Sequence, residues 1–204
     1  MSAMRFFVIL ILTCSAVFAL SERPGDPLLA AEPSPQTETA SVTTPKQRLD
    51  GFFAELKKER DEEKAREVAD RIRLEWQDSG SATVNLLMQW ANKAIADDKH
   101  PVALDILDQV IVLAPNYVEG WNRRATLHYQ MGNYRKSMSD INRVLAIEPR
   151  HFGALAGMAA MLTAAGKDEL AMRAWQQFLD IYPSDRKAQE QLGELAEKLA
   201  GSRT

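Results

Sequence analysis

The stretch WNRRATLHYQMGNYRKSMSDINRVLAIEP, Trp121–Pro149, reads as two amphipathic helices joined by a tight turn. Trp121, Ala125 and Tyr129 stand four apart, the spacing that puts side chains on one face of a helix. Gly132 marks the turn. Tyr134, Ser137, Ile141, Val144 and Ile147 then resume helical spacing until Pro149, whose ring and missing N–H stop it. Ala125 and Ser137 are small where two packed backbones would approach closely, and the bulky residues fill the space between them.

Working outward, prolines recur at Pro115, Pro149 and Pro183, a period of 34 residues. One period forward, Leu155, Ala159, Leu162, Gly166, Ala171, Trp175, Phe178, Ile181 and Pro183 take the same roles. One period back stand Leu87, Ala91, Ala94, Ala103, Leu107, Val110, Leu113 and Pro115; there Asp98 replaces the turn glycine and Pro101 opens the second helix, where proline is tolerated. In repeat length and in the placing of bulky and small residues, Ser81 to Pro183 resembles the tetratricopeptide repeat family.

Three repeats are thus expected at about 82–115, 116–149 and 150–183. A further step back reaches FFAELKKERDEEKAREVADRIRLEWQDSG, where Phe53, Leu56, Ala69 and Trp76 keep some bulk without the closing proline. Residues 47–80 are therefore expected to form a degenerate fourth hairpin. Residues 184–204 read as a capping helix and tail, with Ser184 as N-cap and Ala188, Leu192, Leu195 and Leu199 on one face; a repeat stack needs such a cap with a polar outer side. The expectation is nine helices, no strands and an all-α solenoid of antiparallel hairpins.

The first 46 residues are of another kind. Arg5 followed by the apolar run Phe6–Leu12, with small residues near Ala19, has the layout of an export signal over 1–19. Residues 20–46 carry Pro24, Pro27, Pro33, Pro35 and Pro45 among Ser, Thr, Glu and Ala, a composition that cannot bury enough apolar surface to offset ordering. A linker is expected there, and a periplasmic location follows from the signal. Cys14 is the only cysteine, so the body of the chain can form no disulfide. Lipidation at Cys14, or an uncleaved signal, would tether the chain to a membrane, but Thr13 stands where a lipoprotein signal usually has Gly, Ala or Ser.

Chemistry is sparse. The net charge of −3, with both signs interspersed, offers no broad cationic surface for nucleic acid. His100, His128 and His151 make no metal motif on a helix turn, and no glycine-rich phosphate loop occurs, so no enzyme, metal or cofactor is expected. His128 falls at a packing position. Trp76, Trp90, Trp121 and Trp175 are read mainly as core, with Trp76 or Trp90 partly exposed in a groove, and KKERDEEKAREVADR as a solvated face.

The family resemblance implies a right-handed solenoid whose first helices line a concave groove used to hold peptides or protein segments. Carried onto this chain, the groove-facing positions are Asn85, Met88, Asn92 and Ile95 in the first repeat. The second contributes Glu119, Asn122, Arg123, Thr126, Tyr129 and Gln130; the third Gly153, Ala156, Ala160, Thr163 and Ala164. Relatives that grip a chaperone's terminal carboxylate use lysines, an arginine and asparagines. Asn92 fits one such position, but Met88, Gly153 and Gly157 stand at cationic ones, so that clamp is expected to be absent. The reading is a protein- or peptide-binding scaffold of the bacterial cell envelope, with a self-associating structural module or a membrane-tethered lipoprotein as alternatives.

Overall fold

Three turns set the period of the backbone. Gly132 and Gly166 adopt φ of 74° and 68°, and Asp98, one period earlier, adopts 55°. Each ends a helix in the left-handed conformation that lets the next residue's N–H reach back: Lys99 N to Ala94 O at 2.8 Å, Asn133 N to His128 O at 2.8 Å, and Lys167 N to Leu162 O at 2.9 Å. Asp98 therefore makes the glycine's turn with one of the few side chains that visit this region, at a greater cost than glycine.

A computed structural model describes residues 43–201 and contains nine helices and no strand among them. They are α1 Pro45–Lys58, α2 Glu62–Gln77, α3 Ala82–Ala96, α4 His100–Leu113, α5 Val118–Gln130, α6 Tyr134–Ile147, α7 Phe152–Ala164, α8 Asp168–Ile181 and α9 Arg186–Gly201. The expected export signal, Cys14 and the expected linker up to residue 42 lie outside the described residues. Pro45 and Lys46, expected in the linker, instead open α1. Thr44 caps that helix reciprocally with Gln47, and Pro45 supplies a first-turn φ without losing a needed donor.

Helices α3 and α4, α5 and α6, and α7 and α8 pair as hairpins, and α4, α6 and α8 each carry the next helix in turn. The small sites are closed: Ala91, Ala125 and Ala159 on the first helices and Ala103, Ser137 and Ala171 on the second are all essentially without solvent exposure. Ser137 fits because its Oγ donates to Ala125 O at 2.8 Å, so the buried hydroxyl is satisfied across the hairpin. α7 is apolar around most of its circumference, as a helix covered on several sides must be. α9 closes α8 with Ala188 and Leu195 buried. Its cap is Asp185, whose carboxylate accepts from Ala188 N at 2.8 Å; Ser184, expected in that role, has a buried hydroxyl with no partner among the described residues.

The N-terminal hairpin departs from the expected register. Phe53, Leu56, Ala69 and Trp76 are buried, but α1 and α2 do not continue the stack below α3; α1 packs on α8 and α2 on α5. Their partners are the connections between repeats. Trp76 stacks on His151 with ring centroids 4.1 Å apart and tilts against Phe152 at 5.1 Å. Arg73 lies over Phe152, Arg150 lies over Phe53 and donates to Asp50 at 2.7 Å, and Arg186 pairs with Glu62 at 3.2 Å. The hairpin thus lies across the edge where α5, α7 and α9 begin. At that edge Phe152, Phe178 and Tyr182 form an aromatic set that Trp76 joins through Phe152.

Candidate functional site: a recess between α2, α3 and α5

The α2–α3 connection is fixed by side chains. Asp78 accepts from Gly80 N and from Asn85 Nδ2, both at 2.9 Å, while Asn85 Oδ1 accepts from Ser79 Oγ at 2.6 Å. These bonds to Asn85 and Gly80 hold the Asp78 carboxyl below its usual range. At the start of α5, Tyr117 donates its hydroxyl to Gln77 O at 2.8 Å; burial pushes its phenol up. The end of α2 is thereby clamped beside α3 and α5.

Between them lies a recess of about 380 Å³, lined by Leu74, Gln77 and Asp78 of α2 and its end, by Asn85, Met88, Gln89 and Asn92 of α3, and by Tyr117, Glu119 and Arg123. Glu119, 9% exposed, faces His151 Nε2 at 3.2 Å and accepts from Asn122 Nδ2 at 2.9 Å. Burial alone would raise the Glu119 carboxyl, but the hydrogen bonds from His151 and Asn122 and the nearby charge of Arg123 together leave it lowered. His151 is itself fixed: its Nδ1 caps α7 by accepting from Ala154 N at 3.0 Å, which assigns the hydrogen on Nε2 and makes that atom the donor to Glu119.

Arg123 is different from its neighbours. Its Nε is buried and has no hydrogen-bond partner, and it forms no salt bridge among the described residues. A cation beside a buried carboxylate that is already satisfied retains donors for an incoming acceptor.

Of the positions nominated from the sequence, Asn85, Met88, Asn92, Glu119 and Arg123 meet at this recess. Asn92 is exposed and free to contact a ligand. Met88 and Glu119, expected to face a groove openly, are buried; Met88 belongs to the core of the first repeat and offers only its edge. Asn85 is held by the loop, and Asn122 by Glu119. Thr126 is exposed and donates to Asn122 O at 3.0 Å. Tyr129 sits near the α5–α6 turn edge-on to Tyr134 at 5.5 Å, next to exposed Gln130. On α7, Ala156 is partly buried against the core, Ala160 is exposed and Thr163 bonds its own helix through Ala159 O. Leu74 and Gln77 had no signal in the sequence, because they reach the recess only through the unexpected placing of α2, which Tyr117 at the start of α5 bonds through Gln77 O.

Trp76 and Trp175 are core, Trp121 is half-buried beneath Arg124, and Trp90 is 53% exposed but does not line the recess. His128 is buried with its Nδ1 unpartnered. No group of three metal-ligating side chains occurs among the described residues.

A solenoid of helical hairpins with a lined recess on the first helices is a repeat-scaffold architecture, and comparison gives it a family. The tetratricopeptide repeat profile matches residues 90–162. A TPR repeat-containing protein from Rhizobium etli is 60% identical over 205 residues, covering 100% of both chains. The chain belongs to the tetratricopeptide repeat family. Small glutamine-rich tetratricopeptide repeat-containing protein 2 of Saccharomyces cerevisiae is 28% identical over 48% of this chain and 28% of its own length. Among solved structures, the first TPR of Spaghetti (RPAP3) bound to the HSP90 peptide SRMEEVD superposes with a TM-score of 0.54 at 22% identity, covering 60% of this chain and 96% of that one. The Sgt2 TPR domain from Aspergillus fumigatus gives 0.54 at 16% identity, over 60% and 83%. These two likenesses concern the fold.

Proposed function

We propose that this protein is a non-enzymatic scaffold that holds a segment of a protein partner in the recess between α2, α3 and α5, and that it works in the bacterial cell envelope after export. The observation that carries the binding is Arg123, a half-buried side chain whose guanidinium makes no salt bridge among the described residues, at the wall of a recess whose other charges are already answered. An acidic side chain or a terminal carboxylate of an extended segment supplies the missing acceptor. Exposed Asn92 and Gln89 add amide hydrogen bonds, and Leu74 and the edge of Met88 give apolar contact.

The fold shared with the first TPR of Spaghetti, a domain bound to an HSP90 peptide, supports peptide capture as the use of this surface. Export to the periplasm is supported by Arg5, the apolar run Phe6–Leu12 and small residues near Ala19. In the test, partner recovery is compared for the native chain, Arg123→Ala and the outer-face control Arg135→Ala in the source bacterium. Losing one charge-assisted pair weakens capture by about 1.5–3 kcal/mol, which is at least tenfold, for Arg123→Ala alone. Equal recovery from all three would remove the recess as the binding site.

A further inference from the structure

Because α2 lies across the repeat edge, no described helix covers the outer face of α3, the first helix of the stack. The 34-residue period identifies what that face was built to do. Gly120, one period after Leu86, lies so close to α4 that a methyl group there would come within 2.8 Å of Val110 Cγ1. Ala154, the next in register, is 1% exposed. Arg124, one period after Trp90, reaches back to Asp108 of α4 at 2.6 Å. Positions 86 and 90 are therefore the ones that meet the preceding repeat, yet Leu86 is 43% and Trp90 53% exposed.

The composition of this face differs from that of the internal interfaces in a way that selects its occupant. Inside the stack, Arg124 is held by Asp108 and by buried Asp140, an ionic junction. In the first repeat the equivalents of Arg124 and Asp140 are Trp90 and Ile106, so the junction is apolar. Lys93, the nearest cation on α3, is answered by Asp97 at 3.5 Å. A neutral apolar face has no use for the charged surface a middle repeat presents. The other end of the stack is no match either, since α9 turns Lys187, Glu190, Glu194 and Glu197 outward. The chain's own α2 is also committed, with Val68, Ala69, Ile72 and Trp76 buried on the hairpin and repeat edge. What remains complementary, among the described residues, is the same uncharged face of a second copy. Such an isologous contact closes on itself and covers both open ends at once.

We infer that the outer face of α3, centred on Leu86 and Trp90, is a homodimer interface in which two copies meet head to head about a two-fold axis. The interface continues the repeat-stacking surface past the end of one chain. It leaves the recess between α2, α3 and α5 with its own lining, because neither Leu86 nor Trp90 contributes to it.

Sedimentation equilibrium of the full chain across a concentration series tests this, with Trp90→Glu and Trp90→Ala alongside. The native chain is expected to follow a reversible monomer–dimer equilibrium. Trp90→Glu and Trp90→Ala each raise the dissociation constant at least about 30-fold, the share of a buried tryptophan at an interface centre, with helical content unchanged because Trp90 is half-exposed in the single chain. A native chain that stays monomeric throughout overturns the inference, including the case in which the face captures a different protein. Dimers that persist unchanged in both variants overturn it as well, and assign association to another surface.

Discussion

Replacing Trp76 by alanine separates the N-terminal hairpin from the repeats energetically. A tryptophan buries roughly 150–250 Å², which at about 25 cal/mol per Å² is about 4–6 kcal/mol of transfer free energy. The Trp76 indole N–H is buried without a partner, and that unsatisfied donor gives back about 1–3 kcal/mol. The net loss is about 3 kcal/mol, at the low end for a buried aromatic truncated to alanine. Since Trp76 touches His151, Phe152 and Phe53 at once, the loss falls on docking of α1 and α2 to the repeat edge. A penalty of that size multiplies the local opening constant by roughly a hundred. Hydrogen exchange read by mass spectrometry is the assay: amides in 45–77 should exchange about a hundredfold faster, while those of α5 and α6 keep their protection. Equal acceleration in α5 and α6 would mean that the hairpin and repeats form a single cooperative unit. Unchanged exchange in α1 and α2 would mean that something other than the aromatic contact holds them.

Three further outcomes follow from the turns and the buried pair. Gly132→Ala meets open space around the added methyl, so its cost of about 1–2 kcal/mol comes only from φ of 74°, and it lowers the melting temperature. Asp98→Gly relieves the same conformation in the first repeat and stabilises by about 0.5–1 kcal/mol in the same melt. Glu119 has a lowered folded pKa, so its contribution is complete above its unfolded value near 4.5 and is lost as pH falls from there through the folded value. Acid titration followed by circular dichroism should therefore show a loss in that window that Glu119→Gln, which cannot titrate, does not share.

The repeats were legible because their evidence is a period. Ala91, Ala125 and Ala159 recur in step, and close helix contact at each leaves no room for a larger side chain. The hairpin before them was legible only as helices. Phe53 and Trp76 state in the sequence that they need burial, but not against what, and the edge aromatic Phe152 that receives Trp76 lies 76 positions away. The same gap hid half of the recess. Asn92 and Arg123 came from family register, whereas Leu74 and Gln77 depended on where α2 docks. Register also misjudged exposure at Glu119, because the residue that buries it, His151, caps the next repeat's first helix and pairs across the junction. Ser184 lost its capping role to Asp185 because a one-residue shift in the helix start is below what pattern reading resolves.

Under the proposed function a partner segment lies in the recess between α2, α3 and α5 and not on the opposite side of the stack. Site-specific photo-crosslinking in the native host checks this, with the probe placed in turn at Asn92 and Gln89 of the recess and at the outer-face control Arg135, all exposed. One shared protein adduct is expected from Asn92 and Gln89 and none from Arg135. An adduct formed only from Arg135 would contradict it.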